Sequence, residues 1–160
     1  IGLIIHMAYE WAQRVGDMRT LEWSNIDLTT QTLDLEQSKR RAEVRLPIDD
    51  NLFKMLTEQH KDFGFQQYVA PAVEPQGRVY RPYESGDIHK LVNEVKAHAG
   101  LPPQITAMDL RRTGITQLVE GGVDTFGIMQ VSGHSNPQSV KPYLVNTLTG
   151  STNALANRKK

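Results

Sequence analysis

Five side chains spread along this sequence have the types needed to grip an oxyanion and attack it: Arg14, Lys39, Arg111, His134 and Tyr143. Guanidinium groups are planar, charged at any relevant pH, and bind two oxygens of an anion at once. An ammonium and an imidazole donate hydrogen bonds or protons, and a phenol can serve as a nucleophile. Taken singly, none of these residues is diagnostic. An arginine pair such as Arg111-Arg112 is most often a solvated helix face, a histidine after a glycine is more often structural than catalytic, and a tyrosine late in a chain usually packs.

Their order and surroundings carry more. The chain reads Arg14-Val15-Gly16-Asp17-Met18-Arg19-Thr20-Leu21-Glu22-Trp23-Ser24-Asn25-Ile26-Asp27, then Ser38-Lys39 leading to Leu46-Pro47. Asp109-Leu110-Arg111-Arg112-Thr113 and Ser132-Gly133-His134-Ser135 follow, with Tyr143 nine residues after His134. Each stretch is weak alone. All of them, in one order over essentially the whole chain, resemble the catalytic domain of the tyrosine recombinases, the phage integrase family.

That resemblance implies a site-specific recombinase that cleaves and rejoins double-stranded DNA for a phage or other mobile element. By the same resemblance, Arg14 and Arg111 clamp the scissile phosphate, His134 donates a further hydrogen bond, and Tyr143 attacks to form a 3′-phosphotyrosyl bond. Lys39 protonates the leaving 5′-oxygen, an assignment that rests on its spacing to Pro47 because Arg40 and Arg41 are adjacent. A covalent intermediate retains the energy of the broken bond, so neither ATP, metal nor other cofactor is expected. Asp17 is expected to orient Arg14 or its neighbours, and Arg40, Arg41, Arg112 and Lys141 to contact DNA. The expected assembly is a homo-tetramer on paired sites, with the segment Leu144 to Lys160 docked on a neighbour. One departure stands out: the family commonly has His three residues before its second Arg, where this chain has Met108. A thioether moves no proton. Two further readings stay open, a type IB topoisomerase-like enzyme and a DNA-binding or assembly module with impaired catalysis, besides an unrelated helical interaction domain.

Composition narrows the setting. The chain has 160 residues, 39% of them apolar and 22% charged, with 18 basic residues balancing 18 acidic ones. That suits one globular domain. The zero net charge counts mildly against a nucleic-acid partner, unless the basic neighbourhoods around residues 14–19, 39–45, 111–112 and 141 converge in space. Cysteine is absent, which removes disulfides, thiolate metal sites and cysteine nucleophiles, and is compatible with a cytoplasmic setting. No apolar run spans a bilayer, so no membrane partner is expected. The opening Ile1-Gly2-Leu3-Ile4-Ile5 lies inside an apolar helical pattern, read as a fragment that follows an N-terminal core-binding domain.

The elements that must position these residues read as α+β, mostly helical, with a small antiparallel sheet. Ile1 to Arg14 has apolar residues at helical spacing, and Asp17 is expected to cap a short second helix. Residues 33–36 and 44–48 alternate apolar and polar as a hairpin with Lys39, Arg40 and Arg41 at its tip. Asp49-Asp50 start a helix, residues 63–83 form an irregular loop with a short strand, and Ser85 opens a helix lined by Ile88, Leu91, Val92, Val95 and Ala99. Thr106 and Asp124 are expected N-caps of two more helices, the second stopping near Gly133. Asn136-Pro137 is expected to start a helix bearing Tyr143, kinked or mobile because Pro142 lies within it, and seated only on DNA.

Overall fold

The computed structural model describes residues 1–39, 41–73, 79–144, 151–152, 155–156 and 158. Arg40, expected to touch DNA, and most of the tail expected to dock on a neighbour lie outside the described residues.

The first helix, α1 (Gly2–Glu10), buries Ile4, Met7 and Ala8, the i, i+3, i+4 stripe that faces the core. It ends four residues earlier than its apolar pattern suggests. Ala12 sits at φ 49°, in the left-handed region, so the right-handed helix cannot pass through it. Helix α2 (Val15–Arg19) then starts with Arg14 as its N-cap and contains Gly16 within it. Asp17 therefore does not cap a helix, as the sequence suggested. It lies in the first turn of α2, buried, with its carboxylate turned to Ser38.

A three-stranded antiparallel sheet follows, β1 (Ile26–Asp27), β2 (Thr32–Glu36) and β3 (Glu43–Pro47), in the order β1-β2-β3. Leu33 faces Leu46 and Leu35 faces Val44, so the period-two pattern puts all four on the buried face. Helix α3 (Asp50–Phe63) is capped by Asp49, whose carboxylate accepts from the Leu52 N–H at 2.7 Å. Its Leu52 and Leu56, one turn apart, are fully buried in the core they share with α1 and the sheet. Truncating either to Ala would cost about 2–5 kcal/mol. Trp11 Nε1 donates to the Pro47 carbonyl at 3.0 Å and ties the end of α1 to β3.

Strands β4 (Ala72–Val73) and β5 (Tyr80–Arg81) pair antiparallel, and α4 (Ser85–His98) follows. Only Ile88 of α4 is buried, with Val92 packed partly on the core, while Val95 is exposed. The expected apolar stripe is thus used at its N-terminal half alone. Helices α5 (Ala107–Glu120) and α6 (Thr125–Ser132) begin at Thr106 and Asp124 as their local chemistry requires. Helix α5 lies close on α1 because position 114 is glycine: a Cβ there would stand 2.9 Å from the Tyr9 carbonyl oxygen and 3.1 Å from the Ala12 methyl.

A second, smaller core joins Ala12, Ile115, Ile128 and Val140, with Tyr143 packed against it. The segment carrying Tyr143 is not the expected α-helix. It forms two 3-10 turns, Pro137–Ser139 and Lys141–Tyr143, each with a proline in its first turn. Proline fits a first turn but lacks the N–H that a continuing α-helix needs, and two prolines five residues apart break the segment twice.

Candidate active site

Arg14 leaves the α1–α2 corner and points across to the end of β2. Its Nη1 donates to Gln37 Oε1 at 3.0 Å and lies 3.6 Å from Asp17 Oδ2. Asp17, 2% exposed, spends its other oxygen on the Ser38 N–H at 3.0 Å and the Ser38 hydroxyl at 2.5 Å. One carboxylate thus holds both Arg14 and the start of the loop that carries Lys39. Gln37 closes the same loop, its N–H donating to the Ala42 carbonyl and its carbonyl accepting from the Arg41 N–H.

Arg111 is buried, which the helix pattern alone did not require. It shares the inward face of α5 with Ile115, one turn on, and its Nη2 donates to the Ser132 carbonyl at 2.7 Å. Arg112, one residue round the helix, faces solvent and pairs with Asp109 at 3.7 Å. The Asp109 carboxylate also accepts from the N–H and hydroxyl of Thr106, and these hydrogen bonds hold its carboxyl below the usual range.

Helix α6 ends at Gly133, at φ 69°, a left-handed C-cap that turns His134 back toward Arg111. The Ser132 hydroxyl donates to the Ile128 carbonyl at 2.6 Å, so its oxygen receives the Nδ1 proton of His134 at 2.7 Å. That network assigns the Nδ1–H tautomer and leaves Nε2 facing Arg111 Nη2 at 3.5 Å. The Tyr143 ring lies beside the imidazole, with centroids 6.0 Å apart and planes at 50°.

Arg14, Lys39, Arg111, His134 and Tyr143 all line one cavity of about 450 Å³. Met108, 82% exposed at the start of α5, stands at its wall. Arg41, Arg112 and Lys141 are exposed and do not line it; Arg41 instead pairs with Glu36 at 2.9 Å. Two cavity residues escaped the sequence reading. Arg19 lines the wall with its Nη1 on the Tyr83 carbonyl at 2.6 Å, and His89 enters from α4 beside Ile88. His89 is exposed, and the surface it faces is this cavity. The fully buried Gln13 and Gln37 were also missed; an amide among apolar neighbours gives no local signal.

The chemistry such a cavity supports is attack on a bound oxyanion, with guanidiniums from two distant parts of the chain and a phenol within one pocket. Known proteins share both sequence pattern and fold. The chain is 23% identical over 145 residues to tyrosine recombinase XerC of Pediococcus pentosaceus, covering 88% of this chain and 48% of that relative. The XerA recombinase structure superposes with a TM-score of 0.76 at 17% identity, covering 99% of this chain and 56% of that one. The Tn1549 transposon integrase in complex with a circular intermediate DNA gives 0.73 at 15% identity, covering 97% and 57%. A lambda integrase dimer bound to a COC′ core site gives 0.68 at 22%, covering 89% and 41%. The chain therefore spans about half the length of the relatives it matches. No helix among the described residues is long and apolar enough to cross a membrane. The model of the phage integrase family matches residues 2–148, nearly the full chain, and the mostly helical fold with its small antiparallel sheet agrees: this chain belongs to the phage integrase family.

Proposed function

We propose that this chain is the catalytic domain of a site-specific DNA recombinase serving a phage or other mobile element, and that Tyr143 is its nucleophile. The observation that carries the reading is convergence: Arg14, Lys39, Arg111, His134 and Tyr143, separated by up to 129 residues, line one cavity. Relatives whose structures hold DNA support the partner, double-stranded DNA.

In the step proposed, the Tyr143 phenolic oxygen bonds to phosphorus as the bond to the 5′-oxygen breaks. Arg14 and Arg111 hold the non-bridging oxygens where negative charge grows, and loss of either should slow the step about 10²–10³-fold. His134 Nε2, 3.5 Å from Arg111 Nη2, is proposed to lie beside the same oxygens and, as an imidazolium, to donate to them. Lys39, carried by the loop that Asp17 and Gln37 hold, gives its proton to the departing 5′-oxygen. Because the phosphotyrosyl bond conserves the energy of the phosphodiester, rejoining by the 5′-hydroxyl needs no ATP and no metal. The phenol proton must leave without help from Met108, and His89 is a further imidazole on the same cavity wall able to take it. In this reading residues 1–160 form one catalytic domain whose DNA grip is completed by a core-binding domain and by other copies in a tetramer. The broken Tyr143 segment then settles fully when DNA is bound.

The test is a nicked suicide substrate carrying the element's own attachment site. A covalent protein–DNA adduct is expected for the native chain and not for Tyr143→Phe. Stable site binding without any adduct would favour the impaired binding module.

A further inference from the structure

Between the two arginines lies a buried pair of amides that the phosphate chemistry does not itself use. Gln37 and Gln13 are both fully buried. Gln13 Nε2 donates to the carbonyls of Trp11 at 2.8 Å and Val131 at 2.7 Å, so its Oε1 is the end that faces Gln37. Gln37 Nε2 donates to that oxygen at 2.6 Å and to the Ser132 carbonyl at 2.8 Å, leaving Oε1 to accept from Arg14 Nη1. A flip of either amide would set oxygen against oxygen, so the orientation of both is determined.

The Ser132 carbonyl also receives Arg111 Nη2 at 2.7 Å. One continuous path therefore runs from Arg14 through the Gln37 amide and the Ser132 carbonyl to Arg111. The Gln37 backbone closes the loop that presents Lys39, and the glycine at position 133 leaves the room that the Gln37 amide occupies. Every bond in this path is neutral acceptor to donor. Asp17, 3.6 Å from Arg14, places a carboxylate beside that guanidinium, whereas Gln37 meets it with a neutral oxygen.

We infer that Gln37 is a positioning residue that fixes Arg14 and Arg111 as one anion clamp, and that its neutrality keeps the clamp's charge available for the phosphate. The inference rests on the recombinase reading above. A buried carboxylate in place of the amide would keep the shape, pair with Arg14, and meet the Gln13 and Ser132 oxygens with no hydrogen to offer.

Two measurements on the full chain test it. Inorganic sulfate, titrated and followed by NMR of the His134 ring, probes the clamp without any reaction. Gln37→Glu should bind sulfate at least about tenfold more weakly than the native chain, the equivalent of one lost charge-assisted contact. Equal affinity would overturn the inference. If Gln37→Glu does not fold, Gln37→Met carries the same test: neutral and similar in size, it orients neither arginine, and it too should lose about tenfold. Native sulfate affinity in folded Gln37→Met would refute the role.

The second measurement compares suicide substrates with a phosphodiester or an uncharged methylphosphonate at the cleaved position. Gln37→Glu should slow cleavage of the charged substrate about 100-fold and of the uncharged one less than about tenfold, because only the first needs the clamp's charge. Equal losses on both would mean a purely structural role. If the native chain forms no adduct, the recombinase reading fails, while the sulfate titration still decides the role of Gln37.

Discussion

Replacing Gly133 by alanine should damage the site from the inside, through Gln37. At φ 69° an alanine pays about 1 kcal/mol for the left-handed region. Its Cβ would also lie 2.5 Å from Gln37 Nε2, 2.7 Å from Cδ and 2.8 Å from Oε1. The end of a flexible side chain ordinarily moves aside at little cost. This one is fully buried and engaged in three side-chain hydrogen bonds, to Arg14, Gln13 and Ser132, each worth about 1 kcal/mol. The total is about 4 kcal/mol, a large share of the roughly 5–15 kcal/mol that holds a domain together. Gln37→Ala removes the same three bonds and should cost about 3 kcal/mol alone. In Gly133→Ala/Gln37→Ala the clash is gone and the bonds are lost only once, so the double variant should fall well short of the sum. Urea unfolding of the four proteins gives the coupling directly, expected at about 2–3 kcal/mol. Additivity within about 0.5 kcal/mol would refute the packing of Gln37 against position 133.

Three other substitutions follow from the geometry. Asp17→Ala should cost about 1–3 kcal/mol in unfolding, because the Ser38 N–H and hydroxyl lose their acceptor, and should lower the cleavage rate further through the loosened Lys39 loop. Met108→His puts an imidazole back on the cavity wall and should raise single-turnover cleavage by about 10²-fold or more if proton removal from Tyr143 limits the rate; an unchanged rate would show that it does not. Asp109→Ala should destabilise α5 at neutral pH. The native carboxyl is held below its ordinary range by Thr106, so its contribution is complete above the unfolded value of about 3.9 and fades as pH falls through the lower folded value. The stability gap between native and variant, followed by denaturant unfolding, should therefore close at acid pH; a gap that widened there would contradict the capping role.

Local chemistry was legible in the sequence, and tertiary encounters were not. Asp49, Thr106 and Asp124 announce their helices because a cap acts within four residues, and the alternation of residues 33–36 and 44–46 sets the hairpin register. Ala12 gives no such notice. Alanine favours a right-handed helix, and only the packing of α5 on α1 at Gly114 accounts for its environment. Pro142 was a visible obstacle, yet its effect, two 3-10 turns instead of a kinked helix, depends on Pro137 as well. The candidate site residues stood out through a family pattern of ordered motifs, not through any one of them. Arg19 and His89 meet only because α2 and α4, distant in sequence, both border the cavity, and Gln13 and Gln37 matter only because three elements meet around them.

In the proposed reaction Tyr143 becomes covalently joined to DNA inside this cavity. The most direct measurement is to trap the chain on a nicked attachment-site substrate, digest the adduct, and sequence the nucleotide-bearing peptide by mass spectrometry. A 3′-phosphate linked to the peptide containing Tyr143 is expected, with a free 5′-hydroxyl on the released strand. A linkage to any other residue, or an adduct that persists in Tyr143→Phe, would contradict it.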